Sequence, residues 1–116
     1  ELGLITIVCA DSTTESKAVA ELGADVILAE PTALIGTGTT ADASYTVECC
    51  KEIKKVNPDT KVMIASGITT GEDVYKVVYY GADGSGSTSG IVNATSRAGR
   101  VNEMVVALLK AMEDRK

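Results

Sequence analysis

The feature that most constrains this chain is an alternation repeated four times within 116 residues: a short apolar run, then a longer segment of helical period. Residues 4–9 are β-branched and almost continuously apolar, the pattern of a strand covered on both faces. Residues 26–29 and 61–65 repeat that pattern. A fourth strand is due near residues 84–89, where Gly84-Ser-Gly-Ser-Thr-Ser89 carries no β-branched residue before Thr88 and forms strand poorly. Between the runs, Ser12-Thr-Thr-Glu15 reads as a capping box, Asp42 as an N-cap, and Thr70 as a helix start with Glu72 and Asp73 in the first turn. The corresponding helices end near Gly23, Asn57-Pro58 and Gly81, and a last helix over about 99–113 buries Met104, Val105, Leu108, Leu109 and Met112.

Strict βα alternation predicts an α/β fold with a parallel sheet and right-handed crossovers. Four units make either a small open sheet or half of an eight-stranded barrel, and pairing with four more strands would remove two exposed edges. The echo of Leu22-Gly-Ala-Asp-Val26 in Tyr80-Gly-Ala-Asp-Gly84, 58 positions on, marks two related βαβα halves.

Composition narrows the function. Sixteen acidic against eleven basic residues give a net charge of −5, which disfavours a polyanion partner, so no nucleic acid is expected. No apolar run reaches membrane-spanning length and no leader pattern is present, so the expectation is a cytoplasmic chain without a membrane partner. Three cysteines without CxxC spacing and no histidine predict buried or half-buried thiols, no metal and no cofactor. The missing histidine also excludes a Ser-His or Cys-His nucleophile built from this chain alone.

In either parallel architecture, ligands gather where strands lead into helices. The longest glycine- and hydroxyl-rich segments lie at those places: residues 30–38, 66–71 and 87–90. Their backbone amides can hold a phosphate without lysine or arginine. Glu30 closes the second apolar run, Pro31 stiffens the chain behind it, and Ile35-Gly-Thr-Gly38 hinges more freely, as in a lid over a carboxylate base. A carboxylate under a lid that excludes water suits proton abstraction beside a carbonyl.

The stretches ELGLITIVC, AEPTALIGTG, ASGITTGEDV and GADGSGSTSGIV, in this order, resemble the C-terminal half of archaeal-type triosephosphate isomerase over nearly the whole chain. The resemblance implies a single unit over 1–116, four βα units forming half of a TIM (β/α)8 barrel, with the N-terminal half absent. It implies an isomerase of glycolysis and gluconeogenesis interconverting dihydroxyacetone phosphate and glyceraldehyde 3-phosphate. Glu30 matches the base that moves a proton between carbons of the substrate. Ile35 and Gly36 in the lid, Gly67 after the third strand, and Thr88 with Ser89 after the fourth match the phosphate contacts. The family's electrophilic histidine and its lysine lie in the other half, so the isolated chain is expected to be inactive. Its expected partners are a phosphorylated triose, the missing half-barrel or a second copy, and a homo-oligomer of the tetrameric kind usual in the family. The alternatives are a non-catalytic half-barrel that self-associates with a retained phosphate-binding rim, or another phosphosugar enzyme on the same rim.

Overall fold

The computed structural model describes residues 2–35, 37 and 39–115. Four strands, β1 (Ile7–Ala10), β2 (Val26–Ala29), β3 (Lys61–Ile64) and β4 (Gly84–Ser85), form one parallel sheet in the order β1-β2-β3-β4. Helices α1 (Thr13–Glu21), α2 (Ala43–Val56) and α3 (Gly71–Tyr79) link successive strands. A one-turn helix α4 (Ser89–Val92) and the long α5 (Arg97–Asp114) follow β4. Sequential order with right-handed crossovers puts every connecting helix on the same face of the sheet.

That face is the core. Ile27 and Ala29 of β2 and Val62 and Ile64 of β3 are fully buried against Ile53 of α2 and Val77 and Val78 of α3. The partners one residue away, Ile7, Cys9, Leu28 and Met63, occupy the other face through the register Ile7↔Val26, Cys9↔Leu28 and Leu28↔Met63. Among the described residues, no helix covers that second face. Residues 4–9 therefore do not form a strand covered on both sides: Leu4, Ile5 and Ile7 are exposed, and pairing begins only at Ile7. Burial fails in the same way on α5, where Met104 is buried but Val105, Leu109 and Met112 stand exposed.

The helix starts follow their local chemistry. Ser12 accepts from the Glu15 amide at 3.2 Å, but the Glu15 carboxylate reaches one residue further back, to the Asp11 amide, so the box is offset by one residue. Asp42 accepts from the Tyr45 amide at 2.7 Å, and Thr70 with Asp73 closes a full capping box. The echoed aspartates share a task. Asp25 accepts from the Thr6 amide and hydroxyl, both at 2.8 Å, and Asp83 accepts from the Val62 amide at 2.9 Å, so each pins the strand before it at the amino end of the sheet. Those bonds hold the Asp25 carboxyl below its ordinary range, the Thr6 amide most of all.

The thiols divide. Cys49 and Cys50 are buried in α2, and burial raises both, Cys50 to about 12, leaving them protonated and unreactive. Cys9, expected to be at least half-buried, is exposed on the uncovered face. No described helix is long and apolar enough to cross a membrane.

Candidate active site

Three loops at the carboxyl end of the sheet enclose an open cleft of about 180 Å³, floored by Leu28 and Ala65. Its walls hold Glu30 and Ile35 from the β2 loop, Ser66, Gly67 and Ile68 from the β3 loop, and Thr88 and Ser89 from the β4 loop. Drug-sized pockets run from about 300 Å³ upward, so this one suits a small ligand. Five of the residues singled out from the sequence, Glu30, Ile35, Gly67, Thr88 and Ser89, thus share one cavity although 59 positions separate the first from the last. Gly36, the sixth, lies outside the described residues.

Glu30 is placed by the sheet. Its amide donates to the Ala10 carbonyl at 2.9 Å, continuing the β1–β2 ladder one step past the strand, and its half-buried side chain stands at the cleft. Among the described residues its carboxylate has no ion pair and no hydrogen bond, so the ordinary surface pairing of a strand-end acid is not what holds it. Pro31 then opens a 3-10 turn over Thr32–Leu34, with the Leu34 amide donating to the Pro31 carbonyl at 2.9 Å. Leu34 packs on the core while Ile35 is 55% exposed at the cleft mouth. The segment is tied down behind by Thr37, whose hydroxyl donates to the Leu34 carbonyl and accepts from the Thr39 amide.

The β3 loop turns through two successive left-handed residues, Ser66 (φ 75°) and Gly67 (φ 68°). At Gly67 the requirement for glycine is double: besides its φ, a Cβ would stand 1.9 Å from the Thr39 carbonyl oxygen, so the far end of the lid segment rests on bare backbone. Ser66 was not legible as special from sequence. It is the one described non-glycine residue with positive φ, it is buried, and its hydroxyl has no partner.

The helix ends behind the β3 and β4 loops differ. At α3 the amides of Thr69, Thr70 and Gly71 are already occupied: Asp73 accepts from the Thr69 and Thr70 amides and hydroxyls at 2.9–3.0 Å, and Glu103 accepts from the Gly71 amide at 2.7 Å. Burial raises the Asp73 carboxyl, but the four donations outweigh it and hold it below its ordinary range. At α4, Thr88 makes no side-chain cap, so the Ser89 and Gly90 amides have no partner among the described residues. Among the described residues no lysine or arginine lines the cleft. Among the described residues no group of three cysteines or carboxylates is placed to hold a metal.

The cleft brings a carboxylate together with hydroxyl-bearing and glycine residues in a pocket for one small molecule. A family model described as triosephosphate isomerase matches residues 1–108. The chain is 39% identical over 107 residues to the triosephosphate isomerase of Methanocaldococcus jannaschii, covering 90% of this chain and 49% of the relative. It is 37% identical over 119 residues to that of Sulfurisphaera tokodaii, covering 100% and 52%. The chain thus spans about half the length of the curated relatives it matches. Among solved structures, the Amycolatopsis orientalis BexX/CysO complex superposes over 94% of this chain and 42% of that one, with a TM-score of 0.76 at 16% identity. A flavocytochrome b2 mutant with pyruvate bound superposes over 97% of this chain and 31% of that one, at 0.65 and 21%. Those likenesses show the fold: four βα units of the half-barrel kind.

Proposed function

Since this chain belongs to the triosephosphate isomerase family, we propose that it supplies the proton-transferring base and the phosphate cradle of an enzyme interconverting dihydroxyacetone phosphate and glyceraldehyde 3-phosphate. The observation that carries the reading is the convergence of Glu30, Ile35, Gly67, Thr88 and Ser89 on one cleft. The Glu30 carboxylate takes a proton from the carbon beside the substrate carbonyl and returns it to the neighbouring carbon, which requires a base held in reach and unpaired. The phosphate rests against backbone amides at the Gly67 turn and the Thr88–Ser89 wall, with Ile35 at the mouth. A cradle of fixed dipoles binds the anion without a cation that would also pair with Glu30.

The site is incomplete in this chain. A carbonyl being enolised needs a donor on its oxygen, and among the described residues no histidine, lysine or arginine lines the cleft. That group comes from four further βα units, which also cover the bare face of the sheet. The exposed surface agrees: a compact monomer of 12.0 kDa exposes roughly 6,000 Å², whereas this chain exposes 6775 Å². The excess is of the order that one partner buries in a stable interface, about 800 Å².

The cradle is tested by titrating ¹⁵N-labelled chain with inorganic phosphate and with 2-phosphoglycolate. Saturable shifts are expected at the amides of Gly67, Ile68, Ser89 and Gly90. Shifts confined to the surface lysines Lys51 and Lys55, or none, would reject it.

A further inference from the structure

Helix α5 packs along α3, and an arginine holds each end of that contact. At the end remote from the cleft, Arg115 donates through Nη1 to the carbonyls of Val78 (2.8 Å) and Ala82 (2.9 Å). At the near end, Arg100 donates through Nη1 to the Thr69 carbonyl at 2.8 Å, and Glu103 accepts the Gly71 amide at 2.7 Å. Thr69 and Gly71 close the turn that Ser66 and Gly67 open. A Cβ on Gly71 would lie 2.9 Å from Glu103 Cγ, so the carboxylate reaches that amide only across a glycine. The two side chains are 3.5 Å apart and 26% and 48% exposed, a geometry in which their mutual attraction is worth little. Their bonds to the backbone, each with a charged partner, are the stronger ones.

The opposite wall of the cleft grips the same turn: the Ser87 hydroxyl donates to the Ile68 carbonyl at 2.5 Å. The turn is therefore fixed between α5 on one side and the β4 loop on the other, and its placement sets the gap between Gly67 and Thr88–Ser89. Neither Arg100 nor Glu103 lines the cleft itself. We infer that Arg100 and Glu103 are positioning residues, acting through the 66–71 turn to hold the two walls of the anion cradle at binding distance. The inference rests on the phosphate reading of the cleft given above.

Charge and position give opposite signs at Glu103. If only the field mattered, removing the carboxylate would strengthen phosphate binding and removing the guanidinium would weaken it. Positioning requires both removals to weaken it, because ångström-scale misplacement of a binding group costs affinity. The experiment measures the dissociation constant for inorganic phosphate, from amide shifts, in the wild-type chain and in R100M, E103A and R115M, alongside their melting temperatures. R115M loses the same charge at the remote end, with two backbone bonds against the one that R100M loses. The expected result is a dissociation constant at least fivefold higher in both R100M and E103A. R115M stays within twofold of wild type although its melting temperature falls as far as that of R100M. E103A, on the more exposed side chain, carries the test if R100M does not fold. Unchanged or tighter binding in E103A, or equal weakening in R115M, overturns the positioning role while leaving the cradle standing. A wild-type chain that shows no phosphate shifts at Gly67 and Ser89 overturns the cradle, and this inference with it.

Discussion

At the scale of single residues, the site divides into what a local rule dictates and what packing dictates. Glu30 was singled out by its own neighbours, as an acid ending an apolar run, whereas Gly67 was singled out by the family resemblance. Ser66, Arg100 and Glu103 were legible in neither way. A serine in left-handed backbone leaves no mark in the sequence, and the two α5 side chains matter only through residues about thirty positions away. Gly67 yields the first prediction. Gly67→Ala costs about 1–2 kcal/mol for the left-handed backbone and a further 1–3 kcal/mol for forcing aside the Thr39 carbonyl. The expected loss in urea unfolding is about 2–5 kcal/mol, together with loss of the phosphate shifts. Wild-type stability in this variant would mean that the lid segment does not rest on the turn.

At the scale of elements, helix caps were readable because a side-chain oxygen three residues before a free amide is a local motif. Strand limits were not, because pairing sets them. The run at 4–9 contributes only its second half plus Ala10 to β1, and the poor strand sequence at 84–89 yields two paired residues followed by the unforeseen α4. Two paired residues suffice there because Asp83 and Ser85 also bind β3, to the Val62 amide and the Ile64 carbonyl. The α3 capping box makes a prediction about pH. Because the folded Asp73 carboxyl lies below its ordinary value of 3.8, its contribution is fully present above that value and is lost as pH falls below it. Melting temperatures followed from pH 5 to pH 2 should decline less steeply in Asp73→Asn than in wild type. At pH 6 the variant should be less stable by about 1 kcal/mol, the usual worth of a cap. Parallel acid profiles would show that the four donations to Asp73 do not persist in solution.

At the scale of the whole molecule, the sequence supported a half-barrel, but periodicity alone could not tell which apolar residues this chain itself buries. Strand and helix patterns report the cover a residue is suited to, whether or not the chain provides it. Ile7 at 62%, Val105 at 50% and Leu109 at 55% exposure are such residues, on the two opposite edges of the sheet and its last helix. Patches of this kind drive association. In sedimentation at tens of micromolar the chain alone should run heavier than 12.0 kDa. The double variant Ile7→Glu, Leu109→Glu should shift it toward monomer without changing its circular dichroism. A monomeric wild type would mean that the bare face is tolerated in water. A discrete dimer that binds phosphate would favour the self-associating half-barrel over an enzyme completed by a different partner.

On the function proposed above, Glu30 is the base of a triosephosphate isomerase site that this chain half builds. The most direct test of that role mixes the chain with the N-terminal half of the Methanocaldococcus jannaschii relative and follows conversion of glyceraldehyde 3-phosphate to dihydroxyacetone phosphate. Neither half should turn over alone. The mixture should, and Glu30→Gln should cut its rate by about 10²–10⁴-fold, the range supplied by a positioned base, while leaving the complex assembled. A folded complex with no activity, or one whose rate ignores Glu30→Gln, would contradict the claim.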